Sequence, residues 1–238
     1  MAILKTISSG SIGNCYILEC NDESIIIELG VSWSEILKGV NYDLSKVRGC
    51  LSSHRHLDHS TSIENAIRMG LSVYSCEDVQ SIHQDVKILK KGLKTRMGGF
   101  RVQRIDLHHN VDCIGFLIEH DEIGRLVFCT DTCRIPYRFK NVNHFVVEAN
   151  YSNEIIVDML CDNSYIRSAS ENHMEITDTI EFLKRNYSSD CNTIVLIHLS
   201  QGNADPKKFT RMVKDELGFS NVYVARKGLE LELLKEEF

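Results

Sequence analysis

The run Ser52-Ser53-His54-Arg55-His56-Leu57-Asp58-His59-Ser60 reads H-x-H-x-D-H and sets four metal-ligand side chains within six residues. A borderline cation such as Zn²⁺ takes imidazole nitrogens and carboxylate oxygens, and a catalytic ion also keeps one position for water. Alternation along an extended loop points His54 and His56 the same way, whereas the adjacent Asp58 and His59 must aim elsewhere. Two pairs in two directions suit two ions sharing one site. The competing reading is a polar strand-to-helix turn, with Asp58 near a helix N-cap and the histidines in solvent. Ligands elsewhere in the chain decide between them.

Candidates for those ligands stand where apolar runs stop. Phe100 to Leu107 alternates as a strand and delivers His108-His109, of which only one can easily face inward. Arg125 to Cys129 ends in Thr130-Asp131-Thr132, and a carboxylate there, with two oxygens, can bridge two cations. The continuous apolar run Thr193 to Ile197 ends in His198-Leu199-Ser200-Gln201-Gly202-Asn203, where Ser200 and Asn203 offer a hydroxyl and an amide to phosphate oxygens. Ser8 to Asn14, with Ser11 and Asn14, is either a plain glycine turn or a loop presenting N–H and hydroxyl groups to an anion. His173 opens an amphipathic helix with Ile176, Ile180 and Leu183 on one face, and is a candidate proton donor.

The elements that must carry these residues are short. Ala2 to Ile7, Cys15 to Glu19 and Ser24 to Leu29 read as an antiparallel meander. Ser32 can cap a helix through Lys38, Val47 to Leu51 is the strand that enters the histidine motif, and Ser60 or Thr61 caps a helix to about Met69. Leu71 to Ser75 and Cys113 to Glu119 read as strands, Glu77 to His83 as a helix, and Phe145 to Glu148 as a strand leading to a helix from Asn153 to about Leu160. Asp205 and Pro206 start a helix to about Leu217, followed by strands at Val222 to Ala225 and Leu229 to Leu234. Ligands at strand C-termini are where α/β folds build their sites. From Lys87 to Arg104 the chain carries Lys87, Lys90, Lys91, Lys94, Arg96, Arg101 and Arg104 without an acidic residue. Such a run is a solvated hairpin, or a phosphate-backbone track if it lies beside the metal loop.

Composition sets outer bounds. With 238 residues, only two prolines and no linker or repeat, one domain over residues 1–238 is expected. A net charge of -6 and a pI near 5.9 argue against a protein that coats nucleic acid with its whole surface. Nine scattered cysteines without C-x-x-C indicate neither a disulfide framework nor a zinc ribbon. The N-terminus turns polar at Lys5 and Thr6, and no run reaches the ~18 apolar residues of a membrane span, so a soluble cytoplasmic protein is expected, with no membrane partner. Whether it forms a homodimer is open.

In order and spacing, His54, His56, Asp58, His59, a strand-end histidine, Asp131 and His198 resemble the metallo-β-lactamase superfamily. The resemblance spans nearly the whole chain and implies an α/β fold, a four-layer αββα sandwich with a dinuclear centre at one edge. Ser9-Gly10-Ser11-Ile12-Gly13-Asn14, Thr130-Asp131-Thr132, Glu148-Ala149-Asn150 and His198-Leu199-Ser200-Gln201-Gly202-Asn203 resemble the YycJ-type exonuclease branch. Alignment back from Gly115-Phe116 then selects His108 as the third imidazole. The placing of His173 is similar to that of a histidine in the ribonuclease Z group that protonates the leaving group. Glu28 stands where the superfamily commonly has aspartate, Tyr151 where the branch tends to have histidine, and no inserted β-CASP nuclease domain is present.

The resemblance implies that His54, His56 and His108 hold one ion, that Asp58, His59 and His198 hold the other, and that Asp131 bridges them. The ions would be Zn²⁺, with Mn²⁺ or Fe as alternatives, and Asp58 would orient the nucleophile or accept its proton. The expected activity is phosphodiester hydrolysis of nucleic acid, exonuclease-like, with a cyclic nucleotide as the alternative substrate. Thioester or lactam hydrolysis, and a module that binds nucleotide without cleaving it, are the remaining readings.

Overall fold

Burial along the strands switches side from residue to residue, and the two apolar faces so formed fix a four-layer arrangement. The computed structural model of the chain describes residues 1–158 and 170–235. Its strands are β1 (Ala2–Ser8), β2 (Cys15–Cys20), β3 (Glu23–Ile27), β4 (Val47–Leu51), β5 (Val73–Ser75), β6 (Lys87–Ile88), β7 (Lys94–Met97), β8 (Phe100–Leu107), β9 (Cys113–His120), β10 (Gly124–Cys129), β11 (His144–Glu148), β12 (Thr193–Ile197), β13 (Val222–Val224) and β14 (Glu230–Leu233). Among the described residues they form two seven-stranded sheets, ordered β14-β1-β2-β3-β4-β5-β6 and β13-β12-β11-β10-β9-β8-β7. Phe116, Ile118, Phe128, Val146 and Val195 of the second sheet share one core with Leu4, Tyr16 and Ile26 of the first. Their neighbours Leu117, Val127, Cys129, Val147 and Leu196 face the other way, into a second core.

Helices cover the two outer faces. Ile36 of α1 (Trp33–Gly39) joins the first core, and α2 (Leu57–Ser60) follows the ligand motif. Ile63 and Ala66 of α3 (Ile63–Arg68) and Val79 of α4 (Glu77–Ile82) join that core too. Beyond α5 (Asn153–Asp158), the second sheet is covered by Ile176, Ile180, Phe182 and Leu183 of α6 (Ile176–Asn186) and by Phe209 and Val213 of α7 (Pro206–Leu217). Each fully buried Phe or Leu here is worth roughly 1.5–3 kcal/mol of transfer free energy. α7 has the full punctuation of a helix: the Asp205 side chain accepts from Lys207 N and Lys208 N, Pro206 leads the first turn, and Gly218 closes it at φ 61°. The expected α/β, αββα sandwich is therefore the observed one.

Direction decides where the site lies. β3 and β4 are parallel, as are β10, β11 and β12, while β8 and β10 both run antiparallel to β9. The C-terminal ends of β4, β8, β10, β11 and β12 thus gather at one edge of the sandwich. The β1-β2-β3 meander, β4, β8, β12 and α7 fall where the sequence puts them.

Two local expectations change. Neither Ser60 nor Thr61 is a helix N-cap: Ser60 Oγ donates to the carbonyls of Arg55 and His56, and Thr61 Oγ1 to that of Leu57. Hydroxyls spent on the preceding turn leave the chain to stop and restart, with Ser62 as the N-cap of α3. The basic stretch from Lys87 to Arg104 is not one hairpin but the crossover between sheets, with β6 at the edge of the first and the β7-β8 hairpin at the edge of the second. The helix expected to about Leu160 is described to Asp158, and Leu160 lies outside the described residues. Among the described residues no helix is long and apolar enough to cross a membrane.

Candidate metal centre

The loop after β4 is held from beneath before any ligand is considered. Ser52 Oγ donates to the carbonyls of His54 and His59, and Ser75 Oγ donates to the carbonyl of Ser52. Asn14 Nδ2 donates to the carbonyls of Gly10 and Asp58, while its Oδ1 accepts from Gly10 N. Gly30 lets the first sheet approach: a Cβ there would lie 1.6 Å from the Asp58 carbonyl oxygen. Any other residue at position 30 displaces the ligand loop.

Two groups of donors converge on this loop. In the first, His54 Nε2 lies 2.9 Å from His56 Nδ1, and His109 Nε2 lies 3.3 Å from the same atom. Asp131 Oδ2 faces these imidazoles, 3.8 Å from His54 Nε2 and 3.9 Å from His109 Nε2. In the second, His59 Nε2 is 3.3 Å from Asp58 Oδ2 and 3.3 Å from Asp131 Oδ1, and His198 Nε2 is 3.6 Å and 3.5 Å from those same oxygens. One carboxylate thus turns one oxygen to each group.

The third imidazole of the first group is His109, not the expected His108. Leu107 packs inward at the end of β8, and His108 is exposed, its backbone pinned by Thr132 Oγ1 and by Cys133 N. The chain then turns, and His109 enters the site with Nδ1 3.0 Å from the Asn172 carbonyl, which leaves Nε2 for the centre. A one-residue difference at a strand end reverses the face, and alignment from β9 did not resolve it.

Several partners orient the imidazoles through their second nitrogen, as ligating histidines require. His54 Nδ1 meets Ser53 Oγ at 2.9 Å, His59 Nδ1 meets Glu28 Oε2 at 3.3 Å, and His198 Nδ1 meets Glu148 Oε1 at 3.3 Å. Glu28, the departure from the usual aspartate, still reaches the ligand loop and also accepts from Ser53 N. Asn150 Nδ2 donates to the His198 carbonyl, and Tyr151 is buried against Glu175 across an isolated bridge. Sequence reasoning did not give Glu148 a role; its signal was a carboxylate ending a fully buried strand. Glu28, Asp131 and His198 all take positive φ, 65°, 47° and 54°, a backbone strain that clusters at functional sites.

The electrostatics describe a place built for cations. Burial opposes the imidazolium of His198, yet Asp131, Asp58 and Glu148 outweigh it and raise its pKa to about 10. Burial likewise opposes protonation of His59, and Asp131 and Glu28 overcome it. For Asp131, burial pushes the carboxyl up while His198 and His59 hold it well below the usual range; Asp58 is also lowered, by His198 and His59 against burial. His54 and His109 are shifted down by burial. His198 Nε2 is buried without a hydrogen-bond partner while aimed at two carboxylates. Three imidazoles and a carboxylate oxygen in one group, and two imidazoles with two carboxylate oxygens in the other, fit divalent ions, which would displace protons from these nitrogens.

The residues expected around a bound phosphate divide. Ser11 is exposed, and Ser200 is half-buried, with its Oγ accepting from Asn203 Nδ2. Asn14 and Asn203 are buried, Asn14 tied to the ligand loop and Asn203 to Ser200 and, through its carbonyl, to Ser152 N. Both act on the site through their neighbours. His173 is brought in: its Nδ1 lies 2.7 Å from Glu148 Oε1 and its ring stacks on His198 at 5.3 Å between centroids. Four of the seven crossover cations are engaged elsewhere, Lys91 with Asp106, Lys94 with Glu119, Arg101 with Asp121 and Arg104 with Glu77 and Asp106.

Comparison with known proteins agrees with this architecture. No family model matches the chain. The chain is 23% identical over 222 residues to the exodeoxyribonuclease WalJ of two strains of Streptococcus pneumoniae, with 83% of this chain and 81% of the relative covered. Among solved structures it is similar to the metallo-β-lactamase fold protein YhfI from Bacillus subtilis, at a TM-score of 0.75 and 17% identity over 98% of this chain and all (100%) of that one. A diphosphatase from the PhnP family superposes at 0.69 with 11% identity, covering 99% and 100% of the two chains. The short form of human tRNase Z superposes at 0.63 with 12% identity, covering 97% and 99%. Strand order, the edge on which the ligands gather and these likenesses agree: the chain has the metallo-β-lactamase fold.

Proposed function

We propose that this protein is a metal-dependent hydrolase that cleaves phosphodiesters at a dinuclear centre, with a polynucleotide end as substrate. The observation that carries the reading is Asp131, whose two carboxylate oxygens address two separate histidine groups. His54, His56 and His109 would hold one ion, Asp58, His59 and His198 the other, and Asp131 would bridge. When bound, the ions would lower the pKa of a water between them towards ~7 and draw charge from phosphate oxygens.

The chain's own groups would do the rest. Asp58, 24% exposed beside His59 and His198, orients the attacking water and accepts its proton. His173 supplies the proton that the leaving alkoxide needs. Burial disfavours its imidazolium, but Glu148 outweighs burial and raises the pKa, which favours the protonated, donating form. With Nδ1 committed to Glu148, the other ring nitrogen is the donor. Ser11 and Ser200 would hold non-reacting phosphate oxygens.

The substrate class draws support from the exodeoxyribonuclease relative and from the diphosphatase and tRNase Z neighbours, whose names all concern phosphate esters or anhydrides. A panel of single-stranded DNA, RNA, cyclic mononucleotides and an acyl thioester on Zn²⁺- or Mn²⁺-loaded protein tests it. Turnover of the polymers supports the reading, turnover of cyclic nucleotides alone replaces the substrate, and hydrolysis of thioesters alone overturns it.

A further inference from the structure

Beside the candidate centre lies a groove of about 960 Å³ between α7, β13 and the turn at residues 226–229. Its mouth is formed by Ser9, Ser200 and Gln201, so it opens directly onto the His198 loop, and Ser9 Oγ accepts from His198 N. Leu199, Val222 and Val224 give its lining an apolar part, and the exposed Tyr223 stands on the same strand. Its walls are cationic: Lys207, Arg211 and Lys214 from α7, with Arg226 and Lys227 opposite, against Asp215 alone.

We propose that this groove binds the single-stranded polynucleotide leading away from the scissile phosphodiester, with its phosphates on α7 and a base on Tyr223. The inference rests on the hydrolase reading above and names where the polymer lies. Positions 207, 211 and 214 follow one helix face at i, i+4 and i+7, about 6 Å and about 4.5 Å apart along the axis, a cationic row that a phosphate backbone can track. Among the described residues, Lys207, Arg211, Lys214 and Arg226 make no ion pair, whereas most of the crossover cations do. On a chain of net charge -6, a run of unpaired cations on one groove is a local feature of charge complementarity to a polyanion. An apolar lining with an exposed aromatic beside a row of cations suits unstacked bases rather than a duplex, whose bases are already stacked.

The test uses the full chain and a 5′-labelled single-stranded DNA, with binding read by fluorescence anisotropy across a salt series. The K207E/R211E/K214Q variant keeps the Asp205 cap, which bonds to backbone N–H groups, and should fold; its thermal unfolding is compared with the parent. Expected are binding weaker by about tenfold or more and a salt slope lower by about 2, from three contacts at about 0.7 each for a single strand. Tyr223→Ala should weaken binding by about tenfold, as loss of one stacked base does. Hydrolysis of a small diester should stay within about twofold in both variants while KM for the oligonucleotide rises, because a bond-length substrate does not reach the groove.

Undiminished DNA binding by the folded triple variant overturns the inference, and so does a change in its oligomeric state alone, which would make the groove a contact between copies of the chain. The two readings fail separately. Wild-type protein that cleaves no diester yet loses DNA affinity in the variant keeps the groove and loses the hydrolase. Active protein whose variants bind and cleave DNA as before keeps the hydrolase and loses the groove.

Discussion

Replacing His173 by alanine separates proton donation from every other function of the site. The ring is anchored by Glu148 at 2.7 Å and stacked on His198 at 16° between planes. Its removal leaves Glu148 bonded to Thr132 N at 3.0 Å and Met174 N at 3.3 Å and in contact with His198 Nδ1, so the fold and the ligand set persist. General acid catalysis contributes about 10²–10⁴-fold. The His173 side chain is 24% exposed, so water can take its place in part, and the expected loss falls in the lower half, about 10²–10³-fold or ~2.7–4 kcal/mol. The assay compares kcat/KM on an oligonucleotide, whose alkoxide leaves only with a proton, and on bis(p-nitrophenyl) phosphate, whose leaving group needs none. The first should fall by the full factor and the second by less than about threefold. The alkaline limb of the wild-type profile, set by loss of the His173 proton, should vanish with it. Equal losses on both substrates would refute the assignment, since they would mean that His173 shapes the site and donates nothing.

Three further outcomes are expected. Asp58→Ala should abolish turnover while the protein unfolds at its usual temperature, and full activity in that variant contradicts the mechanism. Glu148→Gln removes the carboxylate behind both His198 and His173, and isothermal titration should find metal bound about 10–100-fold more weakly. His144 is buried with neither ring nitrogen hydrogen-bonded, and burial lowers its pKa from 6.5 to about 4, a loose contact with the Ile123 backbone offsetting part of this. A depressed folded-state histidine gives stability that is present above the unfolded pKa and lost as pH falls towards the folded one. Urea unfolding should therefore show wild type losing about 2 kcal/mol more than His144→Leu between pH 8 and pH 5, and parallel curves would refute it.

The legible parts of this molecule were those dictated by local chemistry. Strand ends could be read because apolar runs stop abruptly at Leu51, Cys129 and Ile197, and α7 because Asp205, Pro206 and Gly218 punctuate it. What stayed hidden depends on three-dimensional direction. His108 and His109 differ only in which way a strand end turns, and that is fixed by Thr132 and Cys133, distant in sequence. The crossover cations left a solvated hairpin and a phosphate track both open because their partners Asp106, Glu119 and Glu77 lie across the sheet or in another element. Lys207, Arg211 and Lys214 drew no notice, being spaced among polar residues on a helix whose opposite face holds Phe209 and Val213. Glu148 needed His173 and His198 beside it before its function could be seen.

On the proposed mechanism Asp131 would join two ions in one site. Elemental analysis of protein loaded with Zn²⁺ or Mn²⁺ and freed of excess metal tests it most directly, with Asp131→Ala measured alongside. Two ions per chain are expected in the wild type and no more than one retained in the variant. A single ion in the wild type, or two held undiminished without the Asp131 carboxylate, would contradict it.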